Sequence, residues 1–226
     1  MEQLYELLKN PFDGLIQDDV AGIQDRCLEI AKTLFENYCV KCGYKAYRFA
    51  EIEFYYYRNE ESGKNNFDKE WNRETYPRNK DAGKFFFHYS GVDICFQCHY
   101  DDIDKDNEYG EFGGILIRSL RDGTKILAGP LFCANLMLNA CKEHMPTLQK
   151  GDYQQCTLEH ATRFGISSDK KQEEGKELFL CYYATDVNGE KLDWDKSSER
   201  IAWDKKRGVF KRQTRNYEKD RFNDNH

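Results

Sequence analysis

In the stretch Ala50–Tyr57, Glu51, Glu53, Tyr55 and Tyr57 alternate with Ile52, Phe54 and Tyr56. Successive side chains of a strand point to opposite faces. Two carboxylates and two phenols therefore share one face, and three apolar groups share the other. A carboxylate bordered by rings loses water, which raises its pKa and its basicity toward a bound water. Aromatic faces beside it could sandwich a planar ligand. The plainer reading is a solvated outer face, where glutamate is ordinary. Arg118 is the second notable residue. It stands between Ile117 and Ser119 in an apolar segment, with Leu116 and Leu120 expected on its own face. Burying an unpaired charge is costly, so a carboxylate such as Glu53 would be its partner. The alternative is an edge-strand arginine directed at water.

The elements that must position these groups follow from periodicity. Ile23, Cys27, Ile30, Leu34 and Phe35 recur at helical spacing and predict a helix over Ile23–Tyr38. Cys42–Gly43 marks a turn, and Tyr44–Tyr57 reads as one long strand or a bent pair. Asn59–Ala82 is polar and reads as a long loop. Phe85–Tyr89 and Val92–Cys98 are expected strands around a Ser90–Gly91 turn, and Gly114–Leu120 is another. Gly129–Pro130 opens a helix to about Cys141, because proline presets φ at a position that needs no bonded N–H. Glu177–Thr185 reads as a strand, followed by the turn signal Asn188–Gly189. This order predicts an α+β fold: one domain with a curved, mostly antiparallel sheet flanked by helices.

Composition bounds the rest. The 226 residues suffice for one core, and the charged and hydrophobic shares, 33% and 39%, are those of a globular chain. No apolar run reaches the roughly 20 residues a spanning helix needs, and Met1–Asn10 has no basic leader. Nine cysteines without a secretory signal point to reduced thiols and a cytoplasmic location. The net charge is −6, unevenly spread. Lys196–His226 holds ten Lys or Arg against five acidic residues, a basic tail of +5, leaving −11 for residues 1–195. Such a tail is either a solvated segment or a contact for nucleic acid.

Several other patterns are weak. Cys39-x-x-Cys42 and Cys95-x-x-Cys98 have the spacing of zinc ligands, but they lie far apart, and residues three apart on a strand face opposite ways. Cys95-x-x-Cys98-His99 matches a haem attachment sequence, which requires export. Asp102, Asp104 and Asp106 imitate the start of a calcium loop that then lacks its glycine and its final glutamate. No metal site is expected.

Taken in order, Glu53-x-Tyr55, Pro77-Arg78-Asn79, the Tyr89-Ser90-Gly91 turn, Ile115–Leu120, Gly129–Pro130, Ala161–Ile166 and the strand Leu178–Tyr183 resemble the alkyladenine (3-methyladenine) DNA glycosylase family. The resemblance spans roughly Gln24 to Asn188. It implies the fold of that family and monofunctional base excision, with no cofactor and no metal. A damaged purine is flipped into an aromatic pocket and a glutamate activates the attacking water. Glu53 matches the water-activating glutamate and Arg118 the arginine that places water and glutamate. Tyr55 and Phe87 match rings that stack on the base, and Gln97 falls near an amide that screens the base edge.

The sequence also departs from the family. No histidine follows Tyr55 before His88, and the wedge tyrosine aligns with Ser90, leaving neighbouring Tyr89 as the residue to fill the gap in the duplex. Asp101–Glu111 places six acidic residues near the expected binding edge, where they repel phosphate. Two expectations result. One is an N-glycosidase removing a damaged or modified purine from nucleic acid, acting as a monomer away from membranes. The other is a binding protein without catalysis on the same scaffold, recognising a nucleobase-like ligand, nucleic acid or a protein partner.

Overall fold

The computed structural model describes residues 2–15, 19–59, 81–100, 110–140, 145–161, 163, 180–194, 199–204 and 209–214. Among them are three helices and a curled antiparallel half-barrel sheet, a mixed α+β arrangement. Residues 60–80 of the polar stretch read as a loop, the acidic stretch Asp101–Tyr109 and the end of the basic tail lie outside the described residues.

The chain opens with α1 (Glu2–Lys9) and α2 (Val20–Asn37). Asp19 caps α2 by accepting a 2.9 Å hydrogen bond from the Gly22 N–H. The helix stops one residue earlier than its periodicity suggests. Tyr38 turns extended and starts β1 (Tyr38–Cys42), an unpredicted strand that pairs with β2 (Lys45–Asn59). Then come β3 (Phe85–His88), β4 (Gly91–Cys95), β5 (His99–Tyr100), β6 (Gly110–Asp122) and β7 (Lys125–Ala128). After α3 (Pro130–Ala140) follow β8 (Thr147–Lys150), β9 (Cys156–Ala161), β10 (Cys181–Val187) and β11 (Glu190–Lys191). The sheet runs β11-β10-β2-β6-β4-β3, with the remaining strands of this set attached at its margins. β12 (Glu199–Asp204) and β13 (Val209–Thr214) pair as a separate two-stranded sheet. At the β10–β11 turn, Asn188 (φ 52) and Gly189 (φ 84) both take the left-handed backbone that a two-residue hairpin of this type needs.

One sheet face packs on α1 and α2. Ile52, Phe54, Tyr56, Ile115, Ile117 and Tyr182 are buried there with Ile30, Leu34 and Phe35. Phe12, Phe54, Tyr56 and Phe96 form an aromatic cluster with ring centroids 4.6–6.4 Å apart. Gly113 lets β6 pass close to β2. A Cβ there would lie 2.2 Å from the Tyr55 carbonyl oxygen and 2.9 Å from the Tyr56 Cα. Because the obstructing atoms are backbone, Gly113→Ala must push two long central strands apart. It is expected to lower stability by about 1–3 kcal/mol, measured as a fall in the urea midpoint.

Candidate functional site

The opposite sheet face carries the charges. Strand register aligns Cys181, Glu53, Leu116, Asp93 and Phe86 in one row across β10, β2, β6, β4 and β3. Two irregularities bring further polar groups to this face. In β2 the residue between Phe49 and Glu51 has no partner, and in β6 the pairing passes from Ser119 to Ile117, leaving Arg118 as the extra residue. Phe49 and Ala50 are both buried in the core, and Glu51 starts the charged face. Likewise Arg118 and Ser119 both reach the charged face, while Leu120 turns into the core. Leu120 therefore does not share the face of Arg118, because a bulge inserts one residue and resets the alternation.

Glu53 and Arg118, 65 positions apart, meet directly. The Arg118 Nη1 donates to Glu53 Oε2 at 3.1 Å, and Tyr55 donates its hydroxyl to the same oxygen at 2.9 Å. The Arg118 Nε forms an ion pair with Glu51 Oε1 at 3.7 Å. Ser119 donates to Glu51 Oε2 at 2.9 Å, and the Cys181 thiol to Glu51 Oε1 at 3.5 Å. Glu53 is 0% exposed, Glu51 2% and Arg118 5%. Arg163 places its guanidinium 4.9 Å from the centre of the Tyr55 ring and donates to the Phe54 carbonyl at 3.1 Å. Tyr57 stacks on Phe112 at 4.6 Å and 17°, extending the aromatic wall. Burial pushes the Tyr55 phenol well above its ordinary range, and the Glu53 carboxylate adds to that rise. The group therefore remains a hydrogen-bond donor over the whole working pH range.

Of the expected site residues, Glu53, Tyr55 and Arg118 converge. Phe87 does not join them. It packs against the helix-side core, because strand alternation turns Phe86 and His88 to the charged face instead. Gln97 lies beyond β4 and accepts from the Ala82 N–H at 3.3 Å, bracing the chain there. Tyr89 projects from the β3–β4 turn and is 87% exposed. Pro77–Asn79, Phe164–Ile166 and Leu178 lie outside the described residues. Glu51 joins Glu53, Tyr55 and Arg118 as alternation predicts, and the same sheet face carries two residues that were not expected, Asp93 and His88, whose Nε2 is 3.4 Å from Asp93 Oδ1. Asp93 had a signal like that of Arg118, a charge set between Val92 and Ile94. Among the described residues no group of three or more His, Cys, Asp or Glu is arranged to hold a metal, and no helix is long and apolar enough to cross a membrane.

Tyr182 and Tyr183 are shifted in the same direction as Tyr55, again chiefly by burial. A phenol held protonated by the fold stabilises it fully below the unfolded value of 10.0. That contribution is lost as pH climbs from there toward the folded value. Stability should therefore fall steeply above about pH 10. Tyrosinate ultraviolet absorbance of the folded chain at about pH 11 should show fewer ionised tyrosines than the urea-unfolded chain.

Comparison with protein-family models, with curated protein sequences and with solved structures gives no match in any of the three.

Proposed function

We propose that this chain is an N-glycosidase that releases a damaged or modified purine from nucleic acid, with Glu53 as the base that activates water. The observation that carries the reading is the meeting of Glu53 with Arg118 at 3.1 Å on a ring-walled sheet face. Two guanidinium groups and several carboxylates buried together are a poor means of stabilising a fold, since desolvation offsets most of their attraction. Charges coupled at such short range on a buried face are more typical of sites that do chemistry. Arg118 fixes the carboxylate, and Tyr55 with Tyr57 supplies flat faces for a base. In the reaction Glu53 takes a proton from water, whose oxygen bonds to the sugar C1′ as the glycosidic bond breaks; the purine leaves with the bonding electron pair and takes up that proton, which restores the carboxylate.

The second reading, a binding protein on the same scaffold, draws on a different observation. The Glu53 Oε2 already accepts from both Arg118 and Tyr55, and the residue has no exposed surface. Incubating the chain with single-stranded and duplex oligonucleotides containing hypoxanthine or 3-methyladenine, and quantifying free base, separates the two. Release supports excision. Binding of base or nucleoside in a thermal-shift titration without release supports the second reading.

A further inference from the structure

The β3–β4 hairpin carries an arrangement that base excision does not use. His88 pairs with Gly91, so Tyr89 and Ser90 form a two-residue turn. The turn folds Ser90 back over the imidazole. Its Oγ lies 2.8 Å from the His88 Nδ1, and its backbone N–H is 3.4 Å from the same nitrogen. A nitrogen that faces a backbone N–H is an acceptor, which places the proton of the neutral ring on Nε2. That Nε2 lies 3.4 Å from Asp93 Oδ1, an ion-pair distance without hydrogen-bond geometry between the two atoms, and Asp93 is 1% exposed. The Phe86 ring lies stacked beside the imidazole at 6.0 Å and 22°. Hydroxyl, imidazole and buried carboxylate thus stand in the order that activates a serine nucleophile. The two ring nitrogens exchange their usual partners.

The surroundings suit an acyl substrate. A Cβ on Gly91 would lie 3.0 Å from the Pro130 Cβ, so the turn is seated against the first residue of α3. Pro130 carries no N–H and the Cys133 N–H is bonded to the Gly129 carbonyl, so at this helix start it is the Leu131 and Phe132 N–H groups that, with the macrodipole, favour a developing negative charge. Tyr89, Leu131 and Phe132 are 87%, 53% and 51% exposed and offer apolar surface near the turn.

We propose that Ser90 is a nucleophile activated by His88 and Asp93, and that it accepts the acyl group of an ester with an apolar acyl chain. As the Ser90 Oγ bonds to the carbonyl carbon, its proton passes to the His88 Nδ1. When the ester C–O bond breaks, that proton goes to the departing alcohol and the acyl group stays on Ser90. Water then attacks the acyl carbon, losing a proton to His88 that returns to Ser90. The sum is ester plus water giving acid plus alcohol.

The test treats the full-length chain with a fluorophosphonate, which forms an Oγ–P bond with loss of fluoride, and maps the adduct by peptide mass spectrometry. In parallel, hydrolysis of para-nitrophenyl butyrate is followed. One adduct on Ser90 is expected, absent from Ser90→Ala. His88→Gln and Asp93→Asn, checked for native circular dichroism, should label more slowly, His88→Gln by about a hundredfold or more. Ester hydrolysis should fall in parallel. An unlabelled Ser90 in the wild-type chain overturns the proposal whatever the variants do, and so does a folded His88→Gln that labels at the wild-type rate. Neither result bears on Glu53 and base release, which stand or fall separately.

Discussion

Glu53→Gln is expected to reduce release of hypoxanthine or 3-methyladenine by about 10²–10⁴-fold, the range a positioned general base contributes, while the chain stays folded. The amide has nearly the shape of the carboxylate and still offers an oxygen to Tyr55 or Arg118. It cannot take a proton from water. Arg118 keeps a second partner in Glu51 at 3.7 Å, so the guanidinium is not stranded in the variant. That is why activity and folding should separate here. The measurement is single-turnover base release from a modified oligonucleotide, with circular dichroism spectra of both chains superimposed. Equal release by wild type and variant would remove Glu53 from the chemistry.

The half of the site that could be read from sequence is the half obeying strand alternation. Glu51, Glu53, Tyr55 and Tyr57 do share a face, Ile52, Phe54 and Tyr56 do face the core, and Arg118 does find Glu53. Helices α2 and α3 and strands β2, β3, β4, β6 and β10 fall close to where periodicity and turn residues put them. What was not readable depends on facts that periodicity does not carry. Bulges at Ala50 and Arg118 change parity partway along two strands, which moved Leu120 to the core. Phe85-Phe86-Phe87-His88 offers aromatic side chains on both faces, so composition alone does not say which ring faces the glutamate. The pairing of Phe86 with Asp93 does. β1 was hidden because Tyr38 and Cys39 continue an apolar helical pattern, and only its pairing with Lys45–Tyr47 and with β8 makes it a strand.

Arg118→Leu should destabilise the chain by about 3–5 kcal/mol, the usual cost of removing one partner from a buried ion pair, or roughly 10 °C in melting temperature for a chain of this size. Leucine is apolar and shorter than arginine, so crowding is not the cause. The loss comes from Glu51 and Glu53, which are 2% and 0% exposed and would lose the guanidinium that contacts both. A double-mutant cycle isolates that cause. Adding Glu53→Gln to Arg118→Leu removes one of the two buried negative charges and should return part of the stability, so the two substitutions would be non-additive. If instead the double variant is simply the sum of the singles, the arginine acts by filling space. Its contact with Glu53 would then contribute nothing to holding the carboxylate ready for water.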